Sequence, residues 1–344
     1  MSAVLGIFFH ALGGFAAGSF YIPMKLLKKW SWESGWLILG LAAWIIAPWV
    51  AGWLTIPDLW ETLTGSPGSS LFWSYFFGLL WGIGGLTFGL TMRYLGLSLG
   101  MALALGLTAA FGTLIPPIYE GTFAQLLETR AGLITFAGVI ICLAGIAICG
   151  WAGARKEKEV DEVQKKEGVA EFDLWKGIGV AIVAGILSAC FAFGLQAGAP
   201  IAESALDKGA APLFQNNAAL VVILAGGITT NFIWCAYLNI TNGSASDYTN
   251  QEAPLRSNYL WASLGGITWY LQFFFYGMGT TQLGERFDFA SWTIHMAFII
   301  LFSNLWGLFF REWAGVSKKT LSIQIFGLFI ILFSTILIGM GSQF

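Results

Sequence analysis

Charge is scarce in this chain. Of its 344 residues only 10% are charged, against about 25% in an ordinary soluble domain. The scarcity is uneven, because thirteen of the charged residues crowd between Arg155 and Lys176. A sequence that is 57% hydrophobic, with a mean hydropathy of +0.72, cannot clothe itself in water-compatible surface. A soluble enzyme is therefore excluded. Histidine is limited to His10 and His295, too few for a multi-histidine metal site. The four cysteines, Cys142, Cys149, Cys190 and Cys235, sit singly in apolar runs, which leaves neither a disulfide framework nor a zinc site. A net charge of −2, with no basic footprint beyond one short segment, argues against nucleic acid as a partner. The N-terminus lacks the basic stretch of a signal peptide, and its apolar run continues to about Met24, as in a membrane span.

Aromatic residues and glycine are plentiful: 17 Trp, 29 Phe and 44 Gly. Interfacial aromatic belts and close helix packing use such residues. With about 20 apolar residues needed per crossing, ten spans are expected, near 3–24, 35–54, 71–92, 97–119, 131–151, 177–198, 212–237, 259–281, 288–310 and 321–341. Loops after odd-numbered spans hold fourteen Lys and Arg, and loops after even-numbered spans hold Arg130, Lys208 and Arg286. Basic residues in short loops stay cytoplasmic, so both termini are expected outside. On that map the sequons at Asn239 and Asn242 fall inside and are chance matches.

The charged segment, residues 154–175, reads as a solvated cytoplasmic linker between two five-span repeats, 1–153 and 176–344. Gly84-Gly85-Leu86-Thr87-Phe88 aligns with Gly265-Gly266-Ile267-Thr268-Trp269, and the same offset pairs Tyr94 with Phe275 and Gly96 with Gly277. A weaker glycine pattern links spans five and ten around Gly138 and Gly327. An odd number of spans per repeat places the halves in opposite orientations, the inverted-repeat plan of secondary transporters. Chance matching of glycine-rich helices is the alternative.

Several strings are longer than composition explains. Tyr21-Ile22-Pro23-Met24-Lys25 leads to Lys28-Lys29-Trp30-Ser31-Trp32-Glu33. Trp81-Gly82-Ile83-Gly84 precedes Gly89-Leu90-Thr91-Met92-Arg93-Tyr94-Leu95-Gly96. Trp269-Tyr270-Leu271-Gln272-Phe273-Phe274-Phe275-Tyr276 precedes Phe287-Asp288-Phe289, Ser291-Trp292 and His295-Met296. Together these resemble the L-rhamnose/proton symporter family of the drug/metabolite transporter superfamily. The pattern departs at Tyr119-Glu120, Gln215-Asn216-Asn217 and Glu285-Arg286. The resemblance implies an all-α, ten-span, five-plus-five inverted repeat in a bacterial cytoplasmic membrane. It also implies import of L-rhamnose, or a related deoxysugar or monosaccharide, by alternating access. It implies a proton as the coupling ion, with no other cofactor. The expected partners are a small sugar and the lipid bilayer, with no obligatory protein partner.

Such a carrier needs a titratable group inside the membrane and polar or planar partners for sugar hydroxyls. Asp288, Ser291, Trp292 and His295 share one helical face, so a carboxylate and an imidazole could together hold a proton. Asp288 could equally cap its helix, and His295 could be a hydrogen-bonded core histidine. Glu33 is the second candidate carboxylate, as an inner proton acceptor or a gate paired with Lys25 or Lys29, or simply an interfacial acid. Arg93 is a possible gate partner, or an anchor. Gln272, with Thr268, Trp269 and Tyr276, forms a face that joins hydrogen bonding to flat apolar surface, suited to a pyranose or to a helix–helix contact. His10, Tyr21, Trp81, Asn216 and Asn304 complete the substrate candidates. Competing readings are a transporter of the same fold for another sugar or metabolite, with sodium as an alternative coupling ion, and more remotely a channel or membrane enzyme. No Ser/His/Asp string, H-E-x-x-H or G-x-x-x-x-G-K supports an enzyme, and no repeated pore motif supports a channel.

Overall fold

Backbone groups in hydrocarbon have no water to bond, so a chain this apolar satisfies them within helices. The computed structural model describes residues 2–95, 97–119, 121–159, 173–283, 288–311 and 313–341, and no strand occurs among them. In chain order the helices are α1 (Ala3–Met24), α2 (Trp32–Thr55), α3 (Leu59–Gly65), α4 (Gly68–Leu95), α5 (Leu97–Tyr119), α6 (Phe123–Leu127) and α7 (Arg130–Glu159). They continue as α8 (Leu174–Ala197), α9 (Ala199–Asp207), α10 (Asn217–Thr241), α11 (Leu255–Leu283), α12 (Asp288–Phe309) and α13 (Lys318–Gly341).

Eight stretches, on α1, α2, α4, α7, α8 with α9, α10, α12 and α13, are long and apolar enough to cross a membrane. They coincide with eight of the expected spans. The other two expected spans fall on α5 and α11. Helix α5 is apolar over Leu103–Tyr119. Helix α11 has 29 residues, ample length for a crossing, but Arg256, Asn258, Gln272 and Gln282 dilute its apolar content. The chain is thus a multi-pass, all-helical membrane protein. The charged segment begins as a continuation of α7 through Glu159, and residues 160–172 lie outside the described residues.

Helix α2 is not regular throughout. Ala42–Ile46 forms a π turn just before Pro48. A proline has no N–H to donate and its ring collides with the carbonyl four residues back, here that of Trp44. The wider turn removes that collision.

The chain divides into two compact units, each drawing on both sides of the charged segment. The unit of residues 15–83 and 190–278 is organised around α2 and α10. Trp36 Nε1 donates to Asn231 Oδ1 (3.0 Å), and Asn217 Nδ2 donates to Thr55 Oγ1 (2.8 Å). Position numbers on the two helices run in opposite directions, so the pair is antiparallel. Helix α4 lies backbone to backbone on α10, since a side chain at Gly78 would strike the Ile223 carbonyl and one at Gly226 the Tyr75 carbonyl.

The other unit comprises residues 1–14, 84–189 and 279–344. Its longest seam joins α7 and α13. A Cβ on Gly138 would lie 2.7 Å from Ile338, one on Gly145 2.8 Å from Ile331, and one on Gly327 2.6 Å from Cys149 Sγ. This pair is also antiparallel. It closes with Glu159, which accepts from Thr320 Oγ1 (2.6 Å) and the Ser317 amide (2.7 Å).

Candidate functional site

Within the unit of residues 15–83 and 190–278, tryptophans from three helices converge. Trp269 of α11 stacks on Phe20 at 4.5 Å and contacts Trp36 at 5.1 Å and Trp44 at 5.2 Å. Trp44 meets Trp81 of α4 at 6.0 Å, and Trp81 meets Phe273 at 5.3 Å and Phe191 at 5.4 Å. Tyr276 borders Phe191 at 6.2 Å. Gln272 lies between Trp269 and Tyr276 on one face of α11, one turn beyond half-buried Thr268. It is 5% exposed, and its Nε2 finds no acceptor among the described residues. Trp44 Nε1 is in the same position at 1% exposure. Leaving a buried donor unpaired costs about 1–3 kcal/mol. Two such donors beside an aromatic wall offer hydrogen bonds to hydroxyls and a flat face to C–H groups. Asn216 is occupied differently: its Nδ2 donates to the Gly277 carbonyl (3.1 Å), tying α11 to the start of α10. Tyr21 and Lys25 are exposed at the end of α1.

Trp44 escapes the sequence reading. A tryptophan inside an apolar span reads as packing. Its eight-residue spacing from Trp36, which sets both on one face of α2, was the available signal.

Glu33 is 5% exposed at the start of α2. Its Oε1 accepts from Ser244 Oγ (2.6 Å) and Asn242 Nδ2 (3.0 Å). The chain between α1 and α2 is held close by. Asn258 grips Lys28 through both backbone groups (3.2 and 2.8 Å), and Lys29 takes a left-handed turn into solvent. Beside Glu33, Ser34 Oγ and the Ser31 amide donate to Asp247 (2.9 and 2.8 Å), and Asn239 Nδ2 donates to Tyr248 Oη (3.1 Å). Burial pushes the Tyr248 phenol above its ordinary range. Asn239 is itself buried, which fits a chance sequon.

The remaining candidates lie in the unit of residues 1–14, 84–189 and 279–344. His10 and His295 meet there, with ring centroids 5.9 Å apart and planes at 65°. Their exposures are 0% and 2%. A Cβ on Gly279 would stand 2.7 Å from the His10 ring, so only glycine lets α11 lie against it. Trp292 Nε1 donates to the Thr108 carbonyl (2.9 Å), and its indole fills the space left by Gly112. That bond joins α12 to α5. Thr113 and Thr293 join the same helices at 2.5 Å. Ser291 Oγ is buried without a partner among the described residues. Asn304 Oδ1 accepts from Gln324 Nε2 (2.6 Å), a stitch between α12 and α13. Asp288 is the first residue of α12. Its side chain, that of Arg93, and Glu120 lie outside the described residues.

Residues 1–343 match the family described as L-rhamnose-proton symport protein (RhaT). The chain belongs to this family. Among curated relatives, the L-rhamnose-proton symporter of Yersinia pestis (strain Pestoides F) is 38% identical over 341 residues, covering 98% of each chain. The L-rhamnose-proton symporter of Citrobacter koseri is 37% identical over 340 residues, covering 98% of this chain and 97% of its own. The resemblance seen in the motifs thus extends from end to end. Symport is transport rather than catalysis, and the family is one of carriers, not enzymes.

Proposed function

We infer that this chain imports L-rhamnose together with a proton across a bacterial cytoplasmic membrane by alternating access. The observation that carries this reading is the full-length similarity to proteins named for that activity. The aromatic wall around Trp269, Trp44 and Trp81, with Gln272, Thr268 and Tyr276, suits a 6-deoxyhexose. Donors serve its hydroxyls, and an apolar face accepts its methyl group. The proton is carried on α12, which bears Asp288 and His295. Glu33, held by Ser244 and Asn242, works as a latch at the start of α2, with Arg93 and Lys25 as gate residues.

The architecture proposed with this function has ten crossings, α5 and α11 included, in two inverted repeats, 1–153 and 176–344, as in the drug/metabolite transporter superfamily. Repeat-equivalent helices must then run in opposite directions. Helices α2 and α10, spans two and seven, do so, as do α7 and α13, spans five and ten. Gly84 and Gly265, aligned by the repeat, also press on equivalent spans. A Cβ on Gly84 would reach the α8 backbone at 2.6 Å, and one on Gly265 the α1 backbone at 3.1 Å.

Purified protein in proteoliposomes tests the function. Labelled L-rhamnose should accumulate under an inward pH gradient, be insensitive to a sodium gradient, and alkalinise the medium on sugar addition. Accumulation driven by sodium alone, or displacement of label by other hexoses but not by unlabelled rhamnose, would overturn it.

A further inference from the structure

Only two histidines occur in the chain, 285 positions apart, and the fold brings them face to edge. Imidazole is the side chain whose unperturbed titration falls in the working pH range of a cell. When neutral it carries one donor and one acceptor nitrogen, so an imidazolium can hand its proton to a neighbouring neutral ring. The ring centroids stand 5.9 Å apart, both rings buried. Protonating both would set two positive charges side by side in low dielectric, so the pair has room for at most one proton at a time.

We propose that His10 and His295 together form the proton-carrying site, taking up one proton with each sugar on the outer side and releasing it on the inner side. The proposal rests on the reading of this chain as a proton-coupled sugar carrier, and it names the coupling residues and their stoichiometry. Among the described residues, few other titratable groups lie on the helices of this unit. Helix α5 carries no charged residue, and its single tyrosine, Tyr119, is at its exposed end. On α7 the charges lie at the ends, while Cys142 and Cys149 face α13 at Ser334 and Gly327. On α13 the charges are Lys318 and Lys319 in the first turn. On α1 the other titratable group is Tyr21 at the far end, with Lys25 just beyond it. On α11 they are Arg256, Tyr259, Tyr270 and Tyr276, all before Gly279. On α12 the one other ionisable residue is Asp288, two turns before His295.

The geometry also assigns a positioning role to Gly279. The methyl group of Gly279→Ala would stand 2.7 Å from the His10 ring, so the ring would have to leave its place beside His295 or the helix would have to shift.

The test uses the full chain with 15N-labelled histidine, whose imidazole spectrum contains two residues only. The unmodified protein should take up one proton per pair across the transport pH range. Two independent titrations, or none, would overturn the proposal, and this measurement requires no variant to fold. In proteoliposomes, His10→Gln and His295→Gln should each lose at least tenfold in pH-driven accumulation while downhill rhamnose exchange persists. Proton uptake per sugar should fall from one to near zero. Coupling that survives both substitutions, or that is lost only in Asp288→Asn, would refute the pair while leaving proton symport intact. No proton uptake by the unmodified carrier would instead remove the symport reading itself, and the pair's role with it.

Discussion

A single unpaired donor in an apolar helix is a strong statement about ligand. Gln272 cannot be satisfied by lipid, and among the described residues its Nε2 has no acceptor. A sugar hydroxyl that fills this role contributes about 1–3 kcal/mol, so Gln272→Ala should weaken rhamnose binding about 5- to 150-fold. Trp44→Phe keeps a ring against Trp269 and Trp81 but removes the indole N–H. One neutral hydrogen bond, about 0.5–1.5 kcal/mol, predicts a loss of about 2- to 12-fold. Calorimetry on purified, monodisperse variants measures both, and unchanged affinity would assign the residue to packing. Gln272 and His295 were legible in the sequence, because an amide or imidazole inside an apolar run is out of place. Trp44 was hidden among many tryptophans. The meeting of His10 with His295 was beyond reach, because it depends on how α1 and α12 are rotated. Glu33 stood out in the sequence as an acid at the start of a span, but its partners lie more than 200 residues away on a loop with no strong signal of its own.

Elements were easier to read than contacts, since twenty apolar residues in a row leave the backbone one choice. Every expected span falls on a helix. What composition could not show was the π turn at Ala42–Ile46 or the continuation of α7 to Glu159, where the charged sequence looks like linker. That continuation has a purpose. The Thr320 hydroxyl and then the Ser317 amide hold the Glu159 carboxyl below its ordinary range. A lowered carboxyl stabilises the fold above its unfolded pKa, near ~4.3, and loses that contribution as pH falls through the lower folded value. Glu159→Gln should therefore melt at a lower temperature than the unmodified protein at pH 7. The gap should close as the pH is taken below about 4. A gap that is constant with pH would mean that the carboxylate charge is not what joins α7 to α13. The small residues along the same seam give a harsher test. Gly145→Leu must displace Ile331, and overpacking of this kind costs about 1–3 kcal/mol.

At the scale of the molecule, orientation depends on where basic residues gather. In the unit of residues 15–83 and 190–278, Asn258 binds the backbone of Lys28, which brings Lys25, Lys28 and Lys29 to the same end as Arg256. In the other unit, Arg155 Nε donates to Thr320 Oγ1 (3.0 Å), and Lys156 lies 4.8 Å from the Trp313 ring centroid. Arg155, Lys156 and Lys158 thus share an end with Lys318 and Lys319. These clusters bring together residues far apart in sequence, and each is of the kind that stays cytoplasmic. Helix α13 runs 24 residues from that end, about 36 Å at 1.5 Å per residue, enough to carry the C-terminus through the hydrocarbon layer. A C-terminal alkaline phosphatase fusion should therefore be active and a fluorescent protein fusion dark. The native cysteines are all buried, so Lys158→Cys provides a clean label site. It should react with a membrane-impermeant maleimide only after the cells are opened. Labelling of intact cells at position 158, or a bright C-terminal fluorescent fusion, would invert the map.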